Sequence, residues 1–292
     1  MGLYRVEALV LRARPMGEAD RVLTLFARGE GKLQAVARGS RRPRSRLMGA
    51  TQPLCHGRYL LMSGRELDSV QQAELVDHGL RPLREDLRRM AAASVTAELV
   101  DALVEAREPS EALFRALEQT WTALAEAPPA SLGPVVFWFC IHLMDRLGYA
   151  PVLDRCAACG RELGAAEAVR FSAREGGSLC ASCAAERDAG APLLKAEGRA
   201  ALRHLRQHDV DAARRLILSP EGERQVRRAL YHFIEYRLSA PSRAWQFWES
   251  LDELERAEMP AAAGPTVVSG APSGPPAAEG SVEGHGGRAA QG

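Results

Sequence analysis

Apolar and polar positions alternate in short runs through the first eighty residues, with turn residues between the runs. Tyr4–Leu11 alternates around Arg5 and Glu7, Arg21–Phe26 repeats the pattern, and Gly29-Glu30-Gly31 turns the chain into Lys32–Ala37. After a Pro-interrupted stretch, Leu54–Leu61 and Leu67–Ala73 complete about five strands, with turn signals at Gly57 and Ser63-Gly64. Five short strands around one long loop suit a small closed barrel of the OB type, although an SH3-like barrel would alternate in the same way.

The period changes at Leu80. Leu80, Leu83, Leu87, Met90, Leu99 and Leu103 recur at helical spacing. Pro109-Ser110-Glu111 starts a second helix that runs through Leu124, with Ser110 as its cap. Gly133–Leu147 is apolar on nearly every side, the mark of a helix in the middle of a bundle, and Gly148 and Pro151 stop it. Residues 155–190 are irregular except for a hairpin expected from Val169–Ser172 and Gly176–Leu179. Helical pattern returns at Lys195–Gln207, Glu221–Leu238 and Ser242–Leu254. The expected architecture is α+β and multidomain: a barrel over residues 1–79, a helical domain over 80–256 with an insertion at about 155–190, and a tail over 257–292. The Ala, Gly and Pro of that tail point to disorder, since they bury too little apolar surface to offset the entropy of ordering.

Charge alters this picture more than composition does. The 292 residues carry a net charge of only +1, but residues 1–60 hold twelve Lys and Arg against four acids, a net +8 that leaves −7 elsewhere. The N-terminal part is therefore expected to meet a polyanion. Arg38-Gly39-Ser40-Arg41-Arg42-Pro43-Arg44-Ser45-Arg46 concentrates five guanidinium groups in nine residues without an acid, and Lys32 on the preceding strand extends the patch. Guanidinium groups on a loop can grip phosphates in several geometries, whereas a merely solvated basic loop is the plainer reading. Tyr4, Phe26 and Tyr59 fall in expected strands and read as core rather than as stacking platforms, so contact is expected with the backbone of a nucleic acid and not with particular bases.

Cys156-Ala157-Ala158-Cys159 and Cys180-Ala181-Ser182-Cys183 form a C-x₂-C-x₂₀-C-x₂-C layout. Two residues between thiolates let a tight turn aim both sulfurs at one point, and two such turns make the tetrahedron of a structural Zn²⁺ site. Four thiolates leave no position for water, so a staple rather than a catalyst is expected. Cys55, in an expected strand, and Cys140, in the apolar helix, read as core.

Other signals are weaker. Gly29-Glu30-Gly31-Lys32 lacks the leading Gly and the Ser or Thr of a phosphate loop. His204 and His208 share a helix face but lack the Glu of a metalloprotease motif. Glu18 and Asp20 suit a turn or a pair with Arg14 or Arg21 better than acid–base work. Tyr231, Phe233, Tyr236, Trp245, Phe247 and Trp248 read mainly as core, with a partner pocket as an alternative. No stretch reaches the ~20 apolar residues of a membrane span, and no leader pattern begins the chain, so a cytoplasmic, membrane-free protein is expected.

Several stretches together resemble the RecO family of bacterial recombination mediators: Glu7–Leu11, Gly17–Phe26, Gly31-Lys32, Ala37–Arg42, Ala73-Glu74-Leu75, Leu147–Pro151, Cys156–Gly160 and Gly176–Cys180. The resemblance covers about residues 3–255 and lies in order and spacing rather than in any one motif; the tail falls outside it. It implies an OB-fold, a helical domain and a zinc-binding insertion. It also implies a non-enzymatic DNA repair and recombination protein of the RecF pathway, close to the nucleoid, that binds single- and double-stranded DNA, anneals complementary strands and acts with RecR and single-strand binding protein to load RecA. Lys32, Arg38, Arg41, Arg42, Arg44 and Arg46 are the implied DNA contacts, and Cys156, Cys159, Cys180 and Cys183 the implied Zn²⁺ ligands. An RNA-binding zinc protein of transcription or translation would share barrel and knuckle, and a nuclease with a divergent site is the rival from the enzyme class.

Overall fold

The computed structural model describes residues 2–76 and 79–258. Five strands, β1 (Leu3–Met16), β2 (Asp20–Ala27), β3 (Gly31–Ala37), β4 (His56–Met62) and β5 (Asp68–Leu75), close a barrel in the order β1-β2-β3-β5-β4, with β3 and β5 parallel and the other pairs antiparallel. This five-stranded closed barrel is the OB-like arrangement and settles the choice left open by periodicity. Strand β1 extends five residues beyond the expected Leu11, because its second half pairs with β2 as far as Met16 opposite Asp20. Cys55 is buried as expected, but it precedes β4 rather than lying in it.

Alternation in β1 serves two cores. Val6, Ala8 and Val10 point into the barrel with Leu23, Leu25, Leu33, Tyr59 and Leu61. Leu9 and Leu11, on the opposite face, join Phe26 and Leu54 in the core of the helical domain. Burying each such side chain contributes about 1.5–3 kcal/mol, so the barrel is held to the helices by a wall of its own strands.

The helical part begins with α1 (Pro82–Glu85) and α2 (Leu87–Leu103). Helix α3 (Glu111–Glu126) starts at Ser110, whose hydroxyl accepts from the Leu113 N–H. Helix α4 (Leu132–Arg146) is buried at almost every position, including Cys140, and Gly148 follows it with φ +80°. The insertion contributes the hairpin β6 (Val169–Ser172) and β7 (Gly177–Leu179), the short helix α5 (Ala181–Arg187) and the edge pair β8 (Leu193–Leu194). Helices α6 (Ala196–Gln207), α7 (Val210–Arg215), α8 (Pro220–Glu235) and α9 (Arg243–Glu258) complete the bundle, with Trp245 and Trp248 buried between α9 and its neighbours. Helix α9 continues two residues past the expected boundary at 256, and the remainder of the expected tail lies outside the described residues.

The segment joining α2 to α3 closes over the barrel rim. Asp68, almost fully buried, accepts from the Tyr4 hydroxyl, the Arg107 guanidinium and, at 3.0 Å, the Gly64 N–H. Burial works against its ionisation, but these donors outweigh it and hold the carboxyl below its ordinary value. A carboxyl depressed in the folded state stabilises fully above its unfolded value of about 3.9, and loses that contribution as pH falls through the lower folded value. Asp68→Asn should therefore cost about 1–2 kcal/mol at neutral pH, discounted because Arg107 is half exposed. Urea unfolding of both proteins should show that gap closing below about pH 4.

Candidate functional site

The loop after β3 is fastened at its root and free at its crest. Gly39, at φ +66°, donates its N–H to Asp20 Oδ1 at 2.7 Å; Arg41 N–H reaches the Ala19 carbonyl at 2.9 Å, and its guanidinium the Gly17 carbonyl at 3.0 Å. Asp20 thus holds the loop, and among the described residues it forms no ion pair with Arg14 or Arg21. A run of turns follows (Arg42 N–H to Gly39 O at 3.1 Å, Ser45 N–H to Arg42 O at 2.9 Å), and the Thr51 hydroxyl closes it on the Leu47 carbonyl at 2.8 Å. Arg38, Arg41, Arg42, Arg44 and Arg46 are all exposed, and none pairs with an acid among the described residues. The structure thus gathers five uncompensated cations beside the β1–β2 turn, one of the loops through which OB barrels bind oligonucleotides.

Lys32 does not join them. It sits near the opposite end of β3, about 20 Å of strand away from Arg38. Its ammonium donates to the Asp101 carbonyl and lies 3.9 Å from the Asp101 carboxylate, and its side chain is only 15% exposed. It stands as a strut between the barrel and α2.

The paired cysteines converge. All four Sγ atoms lie within 4.8 Å of one another, and Cys159 and Cys180 are 4.0 Å apart. A tetrahedron with Zn–S bonds of about 2.3 Å needs sulfurs about 3.8 Å apart, so the donor set fits a closed metal site. Gly160 turns the first pair at φ +77°, and Cys180 N–H points at Cys156 Sγ at 3.4 Å. The Ser182 hydroxyl and the Cys183 N–H lower the Cys180 thiol to about 6, while its sulfur neighbours push Cys183 up to about 12. For Cys156, burial is outweighed by the N–H groups of Cys180 and Cys159, and its thiol is lowered. The cluster is stitched to the fold by Val152, whose N–H and carbonyl bond Gly176 and Ser178, and by Arg199, whose buried guanidinium donates to the Gly164 and Ala165 carbonyls.

A second group, Glu7, His56 and Glu118, comes from three separate segments and carries no local spacing that a sequence could display. Its carboxylates already face a cation: Arg28 lies 3.6 Å from Glu7 and 3.1 Å from Glu118, with its guanidinium 4.5 Å from the Phe114 ring centre. It is an interface cluster between barrel and α3. His204 and His208 stack with ring centres 4.2 Å apart, and His208 Nδ1 is engaged with the His204 carbonyl at 2.9 Å.

Comparison with known proteins covers nearly the whole described chain. The family model for the N-terminal part of recombination protein O matches residues 1–78, and that for its C-terminal part matches residues 84–246. A DNA repair protein RecO from Symbiobacterium thermophilum is 38% identical over 252 residues, covering 86% of this chain and 98% of that protein. Another from Heliobacterium modesticaldum is 40% identical over 253 residues, covering 86% of this chain and 91% of that protein.

Proposed function

The chain belongs to the RecO family of DNA repair proteins, and we propose that it acts there as a non-enzymatic mediator. In this reading it binds single- and double-stranded DNA, anneals complementary strands, and helps load RecA together with RecR and single-strand binding protein, in the bacterial cytoplasm at the nucleoid. Among the described residues, no helix is long and apolar enough to cross a membrane.

The observation that carries the proposal is the unpaired arginine crest. Phosphates exchanged for condensed counterions make such binding weaken steeply with salt. Two strands neutralised on one surface can approach and pair, and no bond need be made or broken. The four cysteines would hold Zn²⁺ as a closed staple that contributes folding energy rather than reactivity. Lys32 is left out of the contact set, since using it would break the Asp101 strut.

With Arg38, Arg41, Arg42, Arg44 and Arg46 changed to Ala, the salt slope for single-stranded DNA should flatten by up to about 3.5, at about 0.7 per lost phosphate contact. Between 50 and 200 mM salt the wild type would then lose about 100-fold more affinity than the variant. Equal slopes and equal affinities would remove the loop from the DNA site. A strong preference for RNA over single-stranded DNA would instead favour the RNA-binding reading.

A further inference from the structure

Tyr149, Tyr236 and Arg237 take no part in the sites described so far. Tyr149 lies in Leu147-Gly148-Tyr149-Ala150-Pro151, where the glycine and the proline suffice to stop α4. Tyr236 and Arg237 close α8. The Arg237 guanidinium carbon lies 4.0 Å from the centre of the buried Phe233 ring, 4.7 Å from Tyr149 and 6.0 Å from Tyr236. Phe233 is buried, but Tyr149 is 49% and Tyr236 64% exposed. Arg237 donates to the Phe233 carbonyl but meets no carboxylate among the described residues, and its buried Nε has no partner. Two open π-faces around an uncompensated cation are complementary to a base and its phosphate.

The barrel itself cannot supply such rings. Phe26 and Tyr59 are buried, and the Tyr4 hydroxyl is committed to Asp68. Leu238, next to Arg237, begins one wall of a groove of about 710 Å³ whose other wall is formed by Leu11–Ala13 and Pro53-Leu54. From Ala13, β1 runs on to the Gly17–Asp20 turn on which the arginine crest is fastened. The acids lining the groove are already engaged: Glu98 caps the Arg243 and Ala244 N–H groups, and Asp101 pairs with Arg12 at 3.1 Å. A strand held at the crest therefore has a route along β1 and the groove as far as Leu238, the chain neighbour of Arg237.

We propose that Tyr149, Arg237 and Tyr236 form a platform on which unpaired bases of single-stranded DNA stack, with Arg237 taking a neighbouring phosphate. This rests on the DNA-binding reading above and adds to the crest a contact that duplex DNA, with its bases already stacked, does not use.

The test is equilibrium binding of the full chain to a fluorescein-labelled oligo-dT and to a blunt duplex across a salt series, comparing wild type with Tyr149→Leu/Tyr236→Leu. Single-strand affinity should fall about 5- to 100-fold at every salt concentration with the slope unchanged, and duplex affinity should not move. Tyr149→Phe/Tyr236→Phe should retain the affinity, which a hydroxyl-dependent role would not predict; a merely structural role would instead lower single-strand and duplex affinity together. An oligonucleotide carrying 5-iodouracil should photocrosslink to one of the two tyrosines. Unchanged single-strand affinity, or equal loss on single strand and duplex, overturns the platform. So does loss of an acidic, Phe-containing peptide ligand with oligo-dT binding intact, an outcome that would mark a peptide site. If the five-arginine variant loses binding and the tyrosine variant does not, the platform alone fails. A wild type that binds no single-stranded DNA ends the parent reading as well.

Discussion

With Cys156 and Cys180 both changed to Ser, the purified protein should carry no zinc, and trypsin should cut it rapidly between residues 155 and 190. The remaining contacts are too few to keep this insertion folded. Its own apolar residues are few, chiefly Leu163, Val169, Phe171 and Leu179, and its strands are only three and four residues long. A short hairpin of this kind is marginal by itself, whereas structural Zn²⁺ contributes about 10–16 kcal/mol in zinc-finger peptides. Arg161, Arg170, Arg174 and Arg187 lie within the insertion and become trypsin sites once it opens. The insertion shares one core with the helices, whereas the barrel has a core of its own and should survive as a protected fragment. Metal content by atomic absorption and the proteolysis pattern decide the matter together. A variant with one equivalent of zinc and the wild-type pattern would show that the converging sulfurs are not the metal site.

Why that cluster was legible in the sequence, and other features were not, follows from the range of the interactions. Each C-x-x-C pair is a local turn, so its spacing is printed in the chain, and only the meeting of the two pairs needed a structure. The five strands were legible from alternation, except where Arg12 and Arg14 disguised the second half of β1 that the ladder with β2 extends. Helices α5 and α7, seven and six residues long, have too little periodicity to be read and form through tertiary contacts. The pairing of Lys32 with Asp101 is silent in the sequence because the two lie 69 residues apart. Glu7, His56 and Glu118 are equally silent in sequence. Tyr236 looks like a core residue in the sequence, and only its exposure beside Arg237 separates it from Phe233 and Trp245.

Gly31→Ala should destabilise the protein by about 2–5 kcal/mol, whereas Gly29→Ala, two residues earlier in the same turn, should cost about 1–2. Both glycines have positive φ, +77° at Gly29 and +70° at Gly31, so either substitution carries the strain of a side chain in left-handed backbone, about 1–2 kcal/mol. Only Gly31 adds a collision. A Cβ there would lie 2.4 Å from the Glu108 carbonyl oxygen and 2.7 Å from the Glu108 nitrogen, both of them backbone atoms that cannot swing aside, while a Cβ on Gly29 meets nothing within 4 Å. Overpacking of this kind adds about 1–3 kcal/mol. The collision falls where the α2–α3 connection is laid against the barrel: Arg107 N–H bonds the Lys32 carbonyl at 2.8 Å, Lys32 bridges Ala106, and Arg107 reaches on to Asp68. Moving Glu108 by an ångström therefore loosens three links at once, and the barrel, with its arginine crest, loses its fixed orientation on the helices. Urea midpoints of the two variants measure the energy, and amide exchange at Lys32 and Arg107 reports the loosening. Equal midpoints for the two variants would mean that the close approach of the connection imposes no cost, and that Gly31 serves the turn alone.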